Sequence, residues 1–99
     1  MNVFTYKDLE EERDAYAREK MQEYVKASVE YIYRGVRKAA VERSAHSYYY
    51  TVHEQTHVDV ITLAEAIRDD LLNLFPDFKF DIGVVNDGYN RSRYICVKW

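Results

Sequence analysis

Between residues 17 and 39 the apolar and small side chains Ala17, Met21, Val25, Ser28, Ile32, Val36 and Ala39 recur at spacings of four and three. That period lines them up along one stripe of an α-helix. Thr5 followed by Asp8 forms a capping box. Phe4 and Leu9 occupy the N′ and N4 positions of a hydrophobic staple, which predicts a helix that begins at Tyr6 and runs to Arg43. Along its surface Asp14 with Arg18 and Glu30 with Arg34 are favourable pairs, Glu10 with Asp14 is a repulsive one, and Gly35 is the weak point.

After Ser44 the pattern changes. Ser47-Tyr48-Tyr49-Tyr50-Thr51-Val52-His53 is β-branched and aromatic, and it predicts a strand with a pleated, partly buried surface. Thr62 with Glu65 reads as a second capping box ahead of Leu63, Ala66, Ile67, Leu71, Leu74 and Phe75, with Pro76 as the stop. Residues Phe78 to Val84 and Arg93 to Trp99 alternate as strands do, and Asn86-Asp87-Gly88 supplies turn chemistry between them. The element order is α-β-α-β-β. It predicts an α+β, two-layer domain spanning residues 1–99, with both helices on one face of a three-stranded sheet of mixed strand direction.

Composition narrows the picture. With 47% hydrophobic residues, 3 Gly and 1 Pro in 99 residues, the chain can bury enough apolar surface to offset its conformational entropy, but only in one core. Cys96 is the single cysteine, so no intrachain disulfide forms. With no secretory signal pattern at the start, a reducing, cytoplasmic location is expected. No run approaches the roughly 20 apolar residues of a membrane-spanning helix, so no membrane role is expected.

The net charge is −3, which is unlike the basic balance of most nucleic-acid-binding domains. Arg34, Arg37, Lys38 and Arg43 cluster near the end of the first helix, where cations offset the negative end of the helix dipole. Weak nucleic-acid binding through these four is an alternative reading only.

His53-Glu54-Gln55-Thr56-His57 matches the HExxH string of zinc-dependent hydrolases, in which helical spacing brings His53 and His57 to one metal and Glu54 serves as base. Its neighbours Thr51, Val52, Val58, Val60 and Ile61 favour extended backbone, which would hold the two imidazoles about 13 Å apart. A zinc hydrolase is therefore the alternative, and no metal or other cofactor is expected. A Gly-rich phosphate loop, GxSxG and CxxC are all absent from the sequence.

Ten tyrosines stand out. A tyrosine joins a large apolar ring to a polar tip, which suits half-buried sheets and binding surfaces alike. Tyr31 and Tyr33 cannot both join the stripe of Ile32, and Tyr48-Tyr49-Tyr50 must present rings on both sides of a strand. Tyr31, Tyr33, Tyr48 and Tyr50, with Arg34 and Arg37, are the candidate binding residues.

A long charged helix, a Tyr-rich strand, a short helix ending in Leu74-Phe75-Pro76-Asp77 and a hairpin closing on Val97-Lys98-Trp99 together resemble small accessory proteins of tailed phages and large DNA viruses. The resemblance implies a non-enzymatic module that binds a host or defence protein, a small signalling ligand or its own copies. Length adds one more expectation. A helix from Tyr6 to Arg43 would extend about 57 Å, whereas a compact chain of this size has a diameter of about 35 Å. Either the helix breaks near Gly35, or it projects and pairs with a second copy in a homodimer, the outcome expected here.

Overall fold

In the computed structural model, residues 3–56, 58–85 and 92–99 are described. The protein is α+β, in the order α1 (Tyr6–Arg43), β1 (Ser47–Val52), α2 (Val60–Leu74), β2 (Lys79–Val84) and β3 (Arg93–Lys98). The expected Asn86-Asp87-Gly88 turn lies outside the described residues.

Helix α1 opens with the expected capping box. The Asp8 backbone N–H donates to Thr5 Oγ1 at 3.2 Å, and the Thr5 N–H donates back to the Asp8 carboxylate at 2.9 Å. The Thr5 N–H, and then the Thr5 hydroxyl donating to the same carboxylate at 2.9 Å, hold the Asp8 carboxyl below its usual value. The helix closes where Ser44 turns left-handed at φ 52°. It runs unbroken through Gly35, so the alternative of a break there does not occur.

Val25, Ile32, Val36 and Ala39 are its buried stripe, while Met21 and Ala17 are half-buried. The surface pairs differ from those expected: Lys20–Glu23 at 3.2 Å and Arg13–Asp14 at 3.7 Å form in place of Asp14–Arg18 and Glu30–Arg34. All are exposed to a degree at which such pairs add little stability.

Helix α2 begins earlier than the Thr62–Glu65 box implies. Asp59 is its N-cap, accepting from the Thr62 N–H at 3.0 Å and from the Thr62 hydroxyl at 2.9 Å. Thr62 thus serves as a donor inside the first turn, leaving Val60 and Ile61 helical. Val60, Leu63, Ala64, Ile67 and Leu71 form the buried face, whereas Leu74 is half-exposed where the helix runs out ahead of Pro76.

The sheet has the order β1-β3-β2, and every pairing is antiparallel. The expectation of a mixed sheet is therefore corrected. β1 and β2 do run the same way, as their helical crossover requires, but β3 lies between them and no parallel pair is formed. β3 carries the deepest burial, with Ile95, Cys96 and Val97 at 0%, 3% and 0% exposure.

Both helices lie on one face. Ile32 and Val36 of α1, Ile67 and Leu71 of α2, and Val52, Ile95 and Val97 of the sheet share one buried cluster. At one end a run of stacked rings seals the layers: Tyr33 on Phe75 (5.5 Å), Phe75 on Phe78 (4.7 Å) and Phe78 on Trp99 (5.5 Å). The Arg37 guanidinium lies 5.6 Å from the Tyr33 ring.

The molecule measures 61 × 31 × 19 Å, with a radius of gyration of 16.7 Å against about 13 Å for a compact chain of its length. The difference comes from α1, whose first turns extend past the sheet with Tyr6, Leu9 and Tyr16 exposed. Among the described residues, no helix is long and apolar enough to cross a membrane.

Candidate functional site

The register puts Tyr48, Tyr50 and Val52 on the helix side of the sheet, beside Val97, Ile95 and Arg93, and puts Ser47, Tyr49 and Thr51 on the open side. Tyr48 reaches Gly35 so closely that a Cβ there would lie 2.5 Å from the phenol carbon and oxygen. Tyr50 meets α1 one to two turns further back, its ring 5.6 Å from that of Tyr31 and its hydroxyl 3.1 Å from Ser28 Oγ. Burial, and then the neighbouring Tyr31 hydroxyl, push the Tyr48 phenol above its usual value. Three of the expected residues, Tyr31, Tyr48 and Tyr50, are thus one cluster.

That cluster lines a groove of about 610 Å³ between α1 and the outer edge of β1. Tyr24, Ala27 and Ser28 form its helix wall, Tyr49, Thr51 and Val52 its strand wall, and His53 and Gln55 one end. A second depression of about 470 Å³ shares Tyr31 and Tyr48 with the first and continues toward the start of β1, lined by Arg34, Lys38 and Arg43. The expected Arg34 therefore joins the groove. Tyr33 and Arg37 do not: they belong to the ring stack on another side of α1, where they tie the helix to Phe75.

The strand wall offers more than side chains. The Trp99 N–H donates to the His46 carbonyl at 3.0 Å, and hydrogen-bonded pairs alternate along an antiparallel ladder, so Tyr48, Tyr50 and Val52 use their backbone groups on β3. The N–H and C=O of Ser47, Tyr49 and Thr51 consequently point into the groove, and no strand among the described residues pairs with them. β1 carries no charge and no proline, the usual protections of an exposed edge. The opposite edge, β2, has Lys79 and Asp81.

No protein-family model, curated protein or solved structure matches this chain.

On the open face Tyr94 lies over Gly83, where a side chain would collide with its ring, and Tyr49 packs 6.1 Å from Tyr94. Cys96 is buried beneath them, as expected of an unreactive thiol. A hydrogen bond with Cys96, before other causes, raises the Tyr49 phenol above its usual value.

His53 and Glu54 follow β1 without regular structure, and beyond them the Val58 N–H donates to the Gln55 carbonyl at 3.4 Å. The helical backbone on which an HExxH string gathers its metal is absent through His53, Glu54, Gln55 and Thr56, and His57 lies outside the described residues. His53 Nδ1 instead sits 3.3 Å from the buried Ser92 hydroxyl. Among the described residues, no three of His, Cys, Asp and Glu come together as a metal site.

Sequence reasoning missed Tyr24 and Ser28 on the helix wall and Tyr49 and Thr51 on the strand wall. Tyr24, Ser28 and Tyr31 follow one another at spacings of four and three, which is a legible signal. The side of β1 left unpaired was not legible before the strand order was known.

Proposed function

We propose that the protein is a non-enzymatic binding module for another protein, acting through the groove between α1 and β1. The observation that supports this most directly is the clustering of Tyr24, Tyr31, Tyr48, Tyr49 and Tyr50 around one groove. Tyrosine gives large contact area with few rotatable bonds and a polar tip, which is why it is enriched at interfaces. The resemblance to small phage and viral accessory proteins supports the same class, with a host or defence protein as partner and the cytoplasm as location. Affinity capture from the native cell tests the reading, with the wild type compared to Tyr31→Ala/Tyr50→Ala. A partner held by the wild type and lost by the folded double variant supports it. A partner held equally by both, or turnover of a substrate by the pure protein, refutes it.

We propose further that α1 mediates a homodimer. Its projecting turns expose Leu9 and Tyr16, and a groove of about 590 Å³ beside them, lined by Met21, Val25, Val29 and Ala66, offers a second apolar seat away from β1. Light scattering at high micromolar concentration is expected to give twice the monomer mass, falling to one in Leu9→Glu/Met21→Glu. A monomer mass for the wild type rejects the dimer.

A further inference from the structure

We propose that the groove receives an extended acidic segment of a partner protein, added as a strand antiparallel to β1, with a carboxylate at the segment's C-terminal end seated among Arg34, Lys38 and Arg43. This rests on the reading of the groove as a protein-binding site and specifies its occupant.

The backbone decides that the occupant is extended. Ser47, Tyr49 and Thr51 present alternating N–H donors and C=O acceptors along one line, which only another strand's ladder satisfies residue by residue. The facing wall is helix α1, so a segment in the groove lies between a helix and a strand edge, with alternate side chains turned toward Tyr24, Ala27 and Tyr31.

Charge decides the rest. The tyrosine-lined part of the groove has no Lys, Arg, Asp or Glu, and the part beyond Tyr48 has three cations and no carboxylate. Of the nearby acids of α1, Glu30 lines the depression beside α2, and Glu42 the one beside Tyr33, which Arg34 and Lys38 also border; neither acid lines the depression beyond Tyr48. None of the three cations forms an ion pair among the described residues.

The cations flank the start of β1. A strand running antiparallel to β1 ends there, so its acidic residues come last. Nucleic acid fits less well, because phosphates supply acceptors alone and leave the carbonyls of Ser47, Tyr49 and Thr51 without donors. Strand addition also explains why β1 lacks the charges that guard β2.

The test uses labelled synthetic peptides with six alternating Val and Thr residues, matching the length of β1. They end in Asp-Glu, in Lys-Lys, or in Asp-Glu with alternate backbone nitrogens methylated, and a single-stranded thymidine oligonucleotide is run alongside. Fluorescence anisotropy gives the affinity, and hydrogen exchange reports the Ser47, Tyr49 and Thr51 amides. The acidic peptide is expected to bind at least about tenfold tighter than the lysine one, with an advantage that shrinks in salt and disappears in Arg34→Ala/Lys38→Ala/Arg43→Ala.

Those three amides gain protection, and both backbone methylation and Thr51→Pro abolish binding. Thr51 points its N–H at the free edge, so proline there leaves the β1–β3 ladder intact. Equal binding of acidic and lysine peptides overturns the charge assignment and leaves the protein-binding reading standing. Undiminished binding of the methylated peptide, or binding of none, overturns strand addition, and capture with the tyrosine variants still judges the broader reading. Oligonucleotide binding without amide protection overturns the occupant in favour of nucleic acid. Protection that rises with protein concentration alone overturns it in favour of a second copy.

Discussion

Gly35→Ala would ordinarily stabilise a helix interior, because alanine avoids the backbone entropy that glycine loses, a gain of about 1 kcal/mol. Here the added methyl would lie 2.5 Å from the Tyr48 Cζ and hydroxyl oxygen and 2.7 Å from Cε2, well inside van der Waals contact. The ring has to swing away, yet it is held beside Tyr31 and backed by the sheet. Overpacking of this kind costs about 1–3 kcal/mol. The propensity gain offsets the lower end of that range, so the expected net effect is a destabilisation of about 1 kcal/mol, or roughly 5 °C in Tm for a chain of this size. Thermal and urea unfolding monitored by circular dichroism give the value. A double-mutant cycle isolates its cause: with Tyr48→Ala the obstruction is gone, and Gly35→Ala should then stabilise by about 1 kcal/mol. If Gly35→Ala stabilises the wild-type background as much as the Tyr48→Ala background, Gly35 is not there to seat Tyr48 and the reasoning fails.

Leu71→Ala empties a site at 0% exposure between α2 and the sheet and is expected to cost about 3 kcal/mol by urea denaturation; a cost below about 1 kcal/mol would mean that the core collapses around the loss. The Asp59 carboxylate is held below its ordinary value of 3.8, first by the Thr62 backbone N–H and then by the Thr62 hydroxyl. Its contribution is therefore present above that value and lost as pH falls through the lowered one. Asp59→Asn should lower Tm by a constant amount above about pH 5, with the gap closing toward about pH 2, and a gap of the same size at both ends refutes the assignment.

The long helix was legible because its signals are local. Thr5 and Asp8 sit three residues apart at the start, and Val25, Ile32, Val36 and Ala39 repeat on one stripe. At α2 the same kind of signal misled. Thr62 and Glu65 have the spacing of a box, but Asp59 three residues earlier has the better acceptor and takes both Thr62 donors. Strand direction was not legible. A helical crossover makes β1 and β2 run alike, and nothing local in Arg93–Lys98 says that it slips between them rather than beside one; the clue is that Ile95, Cys96 and Val97 are consecutive apolar residues, as suits a central strand. For the site, the residue types were readable and their grouping was not. Tyr31 and Tyr33 are two positions apart on α1, which sends one to the groove and the other to Phe75.

The position of β3 also sets an order of events. β1 and β2 point the same way with a gap of about 10 Å between them, the width of one missing strand, so neither has a partner until Arg93–Lys98 has been synthesised. Both helices carry their own caps and can form from local sequence as the chain emerges from the ribosome. The sheet cannot: its two outer strands wait for the middle one, with Val52 and the Leu63–Ile67–Leu71 face uncovered meanwhile. Assembly of the core is thus deferred to β3, which is synthesised after both of the strands it joins, and a nascent chain halted before Arg93 would present β1 and β2 without it to chaperones and proteases.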